Sequence, residues 1–158
     1  MNRLFYKILP ILVGTVLSGA FIIIYWKYGL SFYNLKGFEN VLESVVNFVS
    51  IVIGFYSAFY GMIIAMSKSA FMKELQQSKY RKDLPEILLY SLLSAFSTLV
   101  VTLVMQILIN YDTSFALIIY FIWFLLVGIF ITYALQTSIL SIAMIFGSNP
   151  VAKGKSQL

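Results

Sequence analysis

The chain has 158 residues, of which 61% are apolar and 11% charged, with a net charge of +5. A soluble domain usually carries about 25% charged residues, so too little polar surface is present to wrap a water-soluble globule, and lipid is the expected solvent. Cysteine and histidine are absent and the six acidic residues lie outside the apolar runs, which excludes disulfides, thiolate nucleophiles, haem ligation, imidazole acid–base work and a clustered metal site.

The first uncharged run, 8–26, is bracketed by Lys7 and Lys27 and is long enough at ~28 Å to cross a hydrocarbon core of ~30 Å. Its apolar stretch continues through Gly19 and Ala20, where a cleaved leader would have to end, so a retained helix is expected. Pro10 is read as lying in the first turns, where proline is best tolerated. The second run is 44–67. The third, 87–111, is preceded by Asp83, Pro85 and Glu86, which read as an N-cap, an early proline and a capping-box glutamate. The fourth is overlong, with no charge from 113 to 152, and a helix over 114–146 would measure ~50 Å. The expected fold is therefore all-α and polytopic: one domain over 1–158, with transmembrane helices at about 7–28, 43–67, 86–110 and 114–146.

Lys and Arg number nine at the end that holds both termini and the 2–3 loop, against two (Lys27 and Lys36) at the other end. That asymmetry predicts both termini in the cytoplasm and residence in the inner membrane. The basic residues then read as topology determinants, and no direct nucleic-acid contact is expected. Tyr25, Trp26 and Tyr28 mark the outer boundary of helix one, and Phe32, Tyr33 and Phe38 are expected to lay the first loop along the outer headgroups.

Nothing stops helix two at the membrane surface, because no glycine or proline occurs between Gly61 and Pro85. It is expected to continue into a basic cytoplasmic stub and loop over 68–85, where Phe71, Met72 and Leu75 make an apolar stripe among Lys68, Lys73, Lys79, Arg81 and Lys82. The end of helix four (Ile139, Leu140, Ile142, Met144, Ile145, Phe146) is the expected partner of that stripe. Lying in the inner interface is the other reading.

Two polar stripes are the candidate functional features. On helix two, Asn47, Ser50, Gly54, Ser57 and Gly61 fall within an arc of roughly 80°, opposite Phe48, Phe55, Phe59 and Met62. Lipid is expected on the bulky face and protein or water on the small one, as a helix-packing seam or as the lining of a water-filled path through an oligomer. On helix three, Ser91, Ser94, Thr98, Thr102 and Gln106 form the second stripe, whose hydroxyls have their own backbone carbonyls as an alternative to pore lining. Gln136, Thr137 and Ser141 mark the inner end of helix four. Gly14, Thr15, Ser18 and Gly19 give helix one two overlapping small-residue pairs suited to packing. No ionisable side chain of the Asp, Glu, Lys, Arg or His type lies inside a span, which argues against proton-coupled transport and voltage sensing. No catalytic dyad, phosphate loop or metal motif occurs, so neither enzymatic activity nor a cofactor is expected.

The segment Gly54-Phe55-Tyr56-Ser57-Ala58-Phe59-Tyr60-Gly61, leading into Lys68 and the charged stretch 73–82, resembles in layout the membrane subunits of prokaryotic phage-defence systems: the RexB-type phage-exclusion proteins and the four-helix membrane subunit of the Kiwa system. The resemblance covers the layout of the chain and no signature motif. It implies a homo-oligomer that depolarises the membrane or recruits a cytoplasmic partner protein during infection. The functional expectations are thus a pore or membrane-perturbing effector, a membrane anchor or sensor scaffold working through Lys68–Lys82, or, in the same size class, a holin or an immunity protein.

Overall fold

The computed structural model describes residues 3–65 and 83–147, and every regular element among them is an α-helix. The helices are α1 (Arg3–Tyr28), α2 (Phe38–Ala65), α3 (Asp83–Leu108) and α4 (Ser114–Gly147). Each contains a stretch long and apolar enough to cross a membrane: Lys7–Tyr28, Phe38–Met62, Glu86–Leu108 and Ser114–Ile142. The four expected spans are present, and their boundaries differ in instructive ways.

α1 begins at Arg3, so Pro10 lies inside the helix and not in its first turn. Its missing N–H leaves one backbone carbonyl a turn earlier without its helical donor, and the ring is buried against the rest of the fold. The helix ends where Gly29 adopts φ 63° and returns its N–H to the Tyr25 carbonyl at 2.9 Å, a left-handed cap open to glycine at no steric cost. α2 starts at Phe38, earlier than the charge pattern predicts, because Glu39 sits in the first turn, where the helix dipole favours a carboxylate. Gly37, at φ 83°, sets the entry to this helix. α3 begins at Asp83 as expected. At the start of α4, the Thr113 hydroxyl accepts the Ala116 N–H at 3.2 Å, the usual geometry of an N-cap.

α4 is the organising helix. It is apolar on all sides, as a helix buried among others should be, and it packs against both α1 and α3. α2 packs on α3 and reaches α4 through aromatic side chains: Phe38 stands edge-on to Trp123 and Tyr120 (ring centroids 5.5 Å in both cases), and Phe48 is edge-on to Phe130 at 5.8 Å. The largest buried cluster joins Phe32, Phe38, Leu42, Met105, Tyr120, Trp123 and Phe124. This corrects one expectation for the first loop. Phe32 and Phe38 turn inward, 2% and 5% exposed, and of the three loop aromatics Tyr33 alone stays outside. The reason is the aromatic wall that α4 presents at this height, where each ring gains apolar burial and edge-to-face contacts.

The two ends of the bundle differ in chemistry. One carries both connections among the described residues and the exposed rings of Trp26, Tyr28, Tyr33 and Tyr111; it is called the aromatic end. At the opposite, basic end, Lys7 of α1 pairs with Glu86 of α3 and lies 5.9 Å from the ring of Tyr90. α4, with 34 residues, runs about 50 Å and overshoots a bilayer core of about 30 Å. The expected continuation of α2 lies outside the described residues over 68–82, and 83–85, the last part of the expected stub and loop, are the opening residues of α3.

Candidate functional site

From Ser91 to Thr102 the α3 stripe is consumed inside the chain. Ser91, Thr98 and Thr102 are fully buried and bonded to α4, and Ser94 is 9% exposed. Each hydroxyl has a donor or acceptor role already filled. Ser94 donates to the Ser91 carbonyl at 2.9 Å, Thr98 to that of Ser94 at 2.8 Å, and Thr102 to that of Thr98 at 2.6 Å. Ser91 and Thr98 also reach the Tyr133 and Leu126 carbonyls of α4, each at 3.2 Å. Thr102 in turn accepts the Trp123 indole N–H at 2.9 Å. Toward the basic end, the hydroxyls of Ser91 and Thr137 are bonded to each other and face that of Tyr56, so that α2, α3 and α4 meet at one polar point. With these hydroxyls committed to carbonyls and to an indole N–H, the stripe from Ser91 to Thr102 has the bonding of a packing seam. Gln106 sits half-buried near the end of α3, without a hydrogen bond among the described residues.

A second tight seam joins α1 to α4. A Cβ at Gly14 would lie 2.6 Å from the Leu125 carbonyl oxygen and 2.8 Å from Ile129 Cγ1; one at Gly128 would lie 2.8 Å from the Gly14 Cα. The two glycines therefore mark the point where the backbones cross, and Ser18, one turn along, donates to the Phe121 carbonyl at 3.1 Å. Of the two small-residue pairs on α1, only Gly14 with Ser18 is used. Thr15 points outward and bonds to the Leu12 carbonyl of its own helix, while a Cβ on Gly19 would meet nothing within 4 Å. Gly128, the partner that completes the crossing, escapes a reading based on paired small residues because it stands alone in an apolar run.

The α2 stripe has the opposite fate. Asn47, Ser50, Gly54, Ser57 and Gly61 are all exposed, and a Cβ on Gly54 or Gly61 would find no atom within 4 Å. The arc of α2 that packs within the chain carries Leu42, Val49 and Tyr56 instead. The bulky arc is mixed: Phe48 leans on Phe130, whereas Phe55 and Met62 are exposed. Ser57 satisfies its hydroxyl on the Ile53 carbonyl at 2.9 Å, but the Asn47 amide has no hydrogen-bond partner among the described residues. The candidate partner-binding residues Lys68, Phe71, Met72, Lys73, Leu75, Lys79, Arg81 and Lys82 lie outside the described residues.

Among the described residues no group of three or more His, Cys, Asp or Glu side chains converges to hold a metal ion. The described residues hold four helices long and apolar enough to cross a membrane, the pattern of a multi-pass membrane protein. No protein-family model matches the chain, and no curated protein and no solved structure gives a significant match.

Proposed function

We propose that the protein is a non-enzymatic, homo-oligomeric membrane protein that assembles through the small face of α2 and acts as a pore or membrane-perturbing effector in antiviral defence. The observation that carries this reading is the contrast between stripes: the polar face of α3 is partnered within the chain, and that of α2 is not. An asparagine amide and a row of glycines facing lipid gain nothing from hydrocarbon. Against another helix, the same groups permit close approach and an interhelical hydrogen bond, worth about 0.6 kcal/mol on average in membranes. A path for ions would then run between copies, since the hydroxyls from Ser91 to Thr102 are bonded within each copy. The assignment to defence rests on the resemblance in layout to phage-exclusion membrane subunits, and residence in an inner membrane with both termini inside rests on the charge asymmetry.

The test is ion flux from liposomes that contain the purified full chain. The wild type is expected to conduct, and Gly54→Leu and Ser57→Leu are expected to abolish conduction while the monomer remains folded. No flux from the wild type, or unchanged flux from both variants, overturns the pore.

The length of α4 favours a second reading, in which its overshoot and the basic segment 68–82 form a cytoplasmic stub that holds a soluble partner protein. Charge reversal at Lys79, Arg81 and Lys82 is then expected to release a co-purifying protein without affecting flux.

A further inference from the structure

At the aromatic end, the tip of α1, the first loop, the α3–α4 turn and the start of α4 border an open cleft of about 650 Å³. Sites for small ligands commonly span roughly 300–1,000 Å³. Its lining includes the aromatic residues Tyr25 and Trp26 and the polar residues Asn34, Asp112 and Ser114. Asp112 is the sole Asp, Glu, Lys or Arg in the wall. Its carboxylate is exposed and has no ion pair or hydrogen bond among the described residues. Lys27, though next in sequence to Trp26, lies 5.7 Å from the ring of Tyr28 and is not part of the lining.

A carboxylate without an ion pair that shares a cavity lining with aromatic residues is the chemistry that takes an organic ammonium: the carboxylate balances the charge and the ring faces attract it. A divalent metal would need more oxygen ligands than one carboxylate and a few neutral groups offer. The exposed Trp26, Tyr28, Tyr33 and Tyr111 form a belt of the kind that sits at a membrane–water boundary, which puts the cavity at headgroup level. We propose that this cavity binds a primary-ammonium group of the ethanolamine type, with Asp112 as its counter-ion and Tyr25 and Trp26 as its aromatic wall. The site is independent of the α2 face and of any conduction through it.

The experiment uses the full chain in nanodiscs of mixed phosphatidylglycerol and phosphatidylethanolamine, with retained lipid identified by native mass spectrometry. Phosphatidylethanolamine is expected to be retained over phosphatidylglycerol, and Asp112→Asn to weaken that preference by roughly tenfold, the scale of one lost charge-assisted hydrogen bond. Trp26→Leu should weaken it severalfold. Asp112 makes no internal bond, so its replacement leaves the fold intact. Fluorescence in a Trp123→Phe background, where Trp26 is the sole tryptophan, supplies a second readout. Titration with free ethanolamine in detergent separates the sources: a response assigns the site to soluble amines as well, and silence there with lipid retained assigns it to the membrane. Equal retention of the two lipids with no response to ethanolamine, or an Asp112→Asn variant that behaves as wild type, overturns the proposal.

Discussion

The stripes on α2 and α3 are built from similar residues at similar spacing, yet they do different work. On α3 every Ser and Thr of the stripe is buried, and Ser91, Thr98 and Thr102 reach α4 by bonding its carbonyls or accepting an indole proton. On α2 the stripe turns away from the core, and the packing falls to Leu42, Val49 and Tyr56 on another arc. The difference lies in size. The stripe on α3 keeps a hydroxyl at each step from Ser91 to Thr102, and a hydroxyl fills the gap between helices while satisfying itself on a carbonyl. Gly54 and Gly61 fill nothing. A glycine face contributes only where another backbone comes close enough to use the space, as α4 does with α1 at Gly14 and Gly128.

The largest effect expected from breaking this contrast is at that crossing. Gly128→Leu places a side chain where Gly14 backbone atoms already stand, and backbone does not yield as a side-chain tip does. A cost of about 3 kcal/mol is expected, at the upper end for overpacking. Loss of the monodisperse species in detergent, or a large fall in thermal midpoint, checks it. A fully stable variant would mean that α1 and α4 do not cross there.

Thr102→Val should rank next. The substitution keeps the shape but strands the buried Trp123 indole N–H, for which ~1–2 kcal/mol is expected. A double-mutant cycle with Trp123→Phe isolates the bond, because the valine should cost little once the indole is gone. Below this comes the Lys7–Glu86 pair between α1 and α3. Its side chains are 53% and 39% exposed, so Lys7→Met should cost no more than about 1 kcal/mol, and high salt should diminish even that.

Much of this architecture was legible in the sequence, because hydrocarbon imposes blunt constraints. Uncharged runs of sufficient length announced four helices, and Asp83 with Pro85 announced the start of α3. The arrangement of the helices was not legible. Whether a stripe turns inward depends on which neighbour has the matching surface, and period alone does not choose between Ser50–Ser57 and Leu42–Tyr56 on the same helix. Phe32 and Phe38 had the profile of interfacial residues, yet Tyr120 and Trp123, far along the chain, provided a better place for them. Gly128 gave no signal until Gly14 stood opposite.

The smallest expected effect on stability is at Gly54, and it is the most informative about the comparison. Nothing lies within 4 Å of a Cβ at this position, so Gly54→Leu should change the stability of the monomer by no more than about 0.5 kcal/mol, as for any unpartnered surface site. Its effect is expected between copies. The chain contains no cysteine, so single cysteines report contact without background. Gly54→Cys and Ser57→Cys should form disulfide-linked dimers in membranes under mild oxidation, while Ile23→Cys, on the exposed face of α1, should not. Gly54→Leu introduced beside Ser57→Cys should then suppress the crosslink without unfolding the chain. If all three cysteines react alike, the small face of α2 meets lipid as the flank of α1 does, and the two stripes differ only in which one the fold had use for.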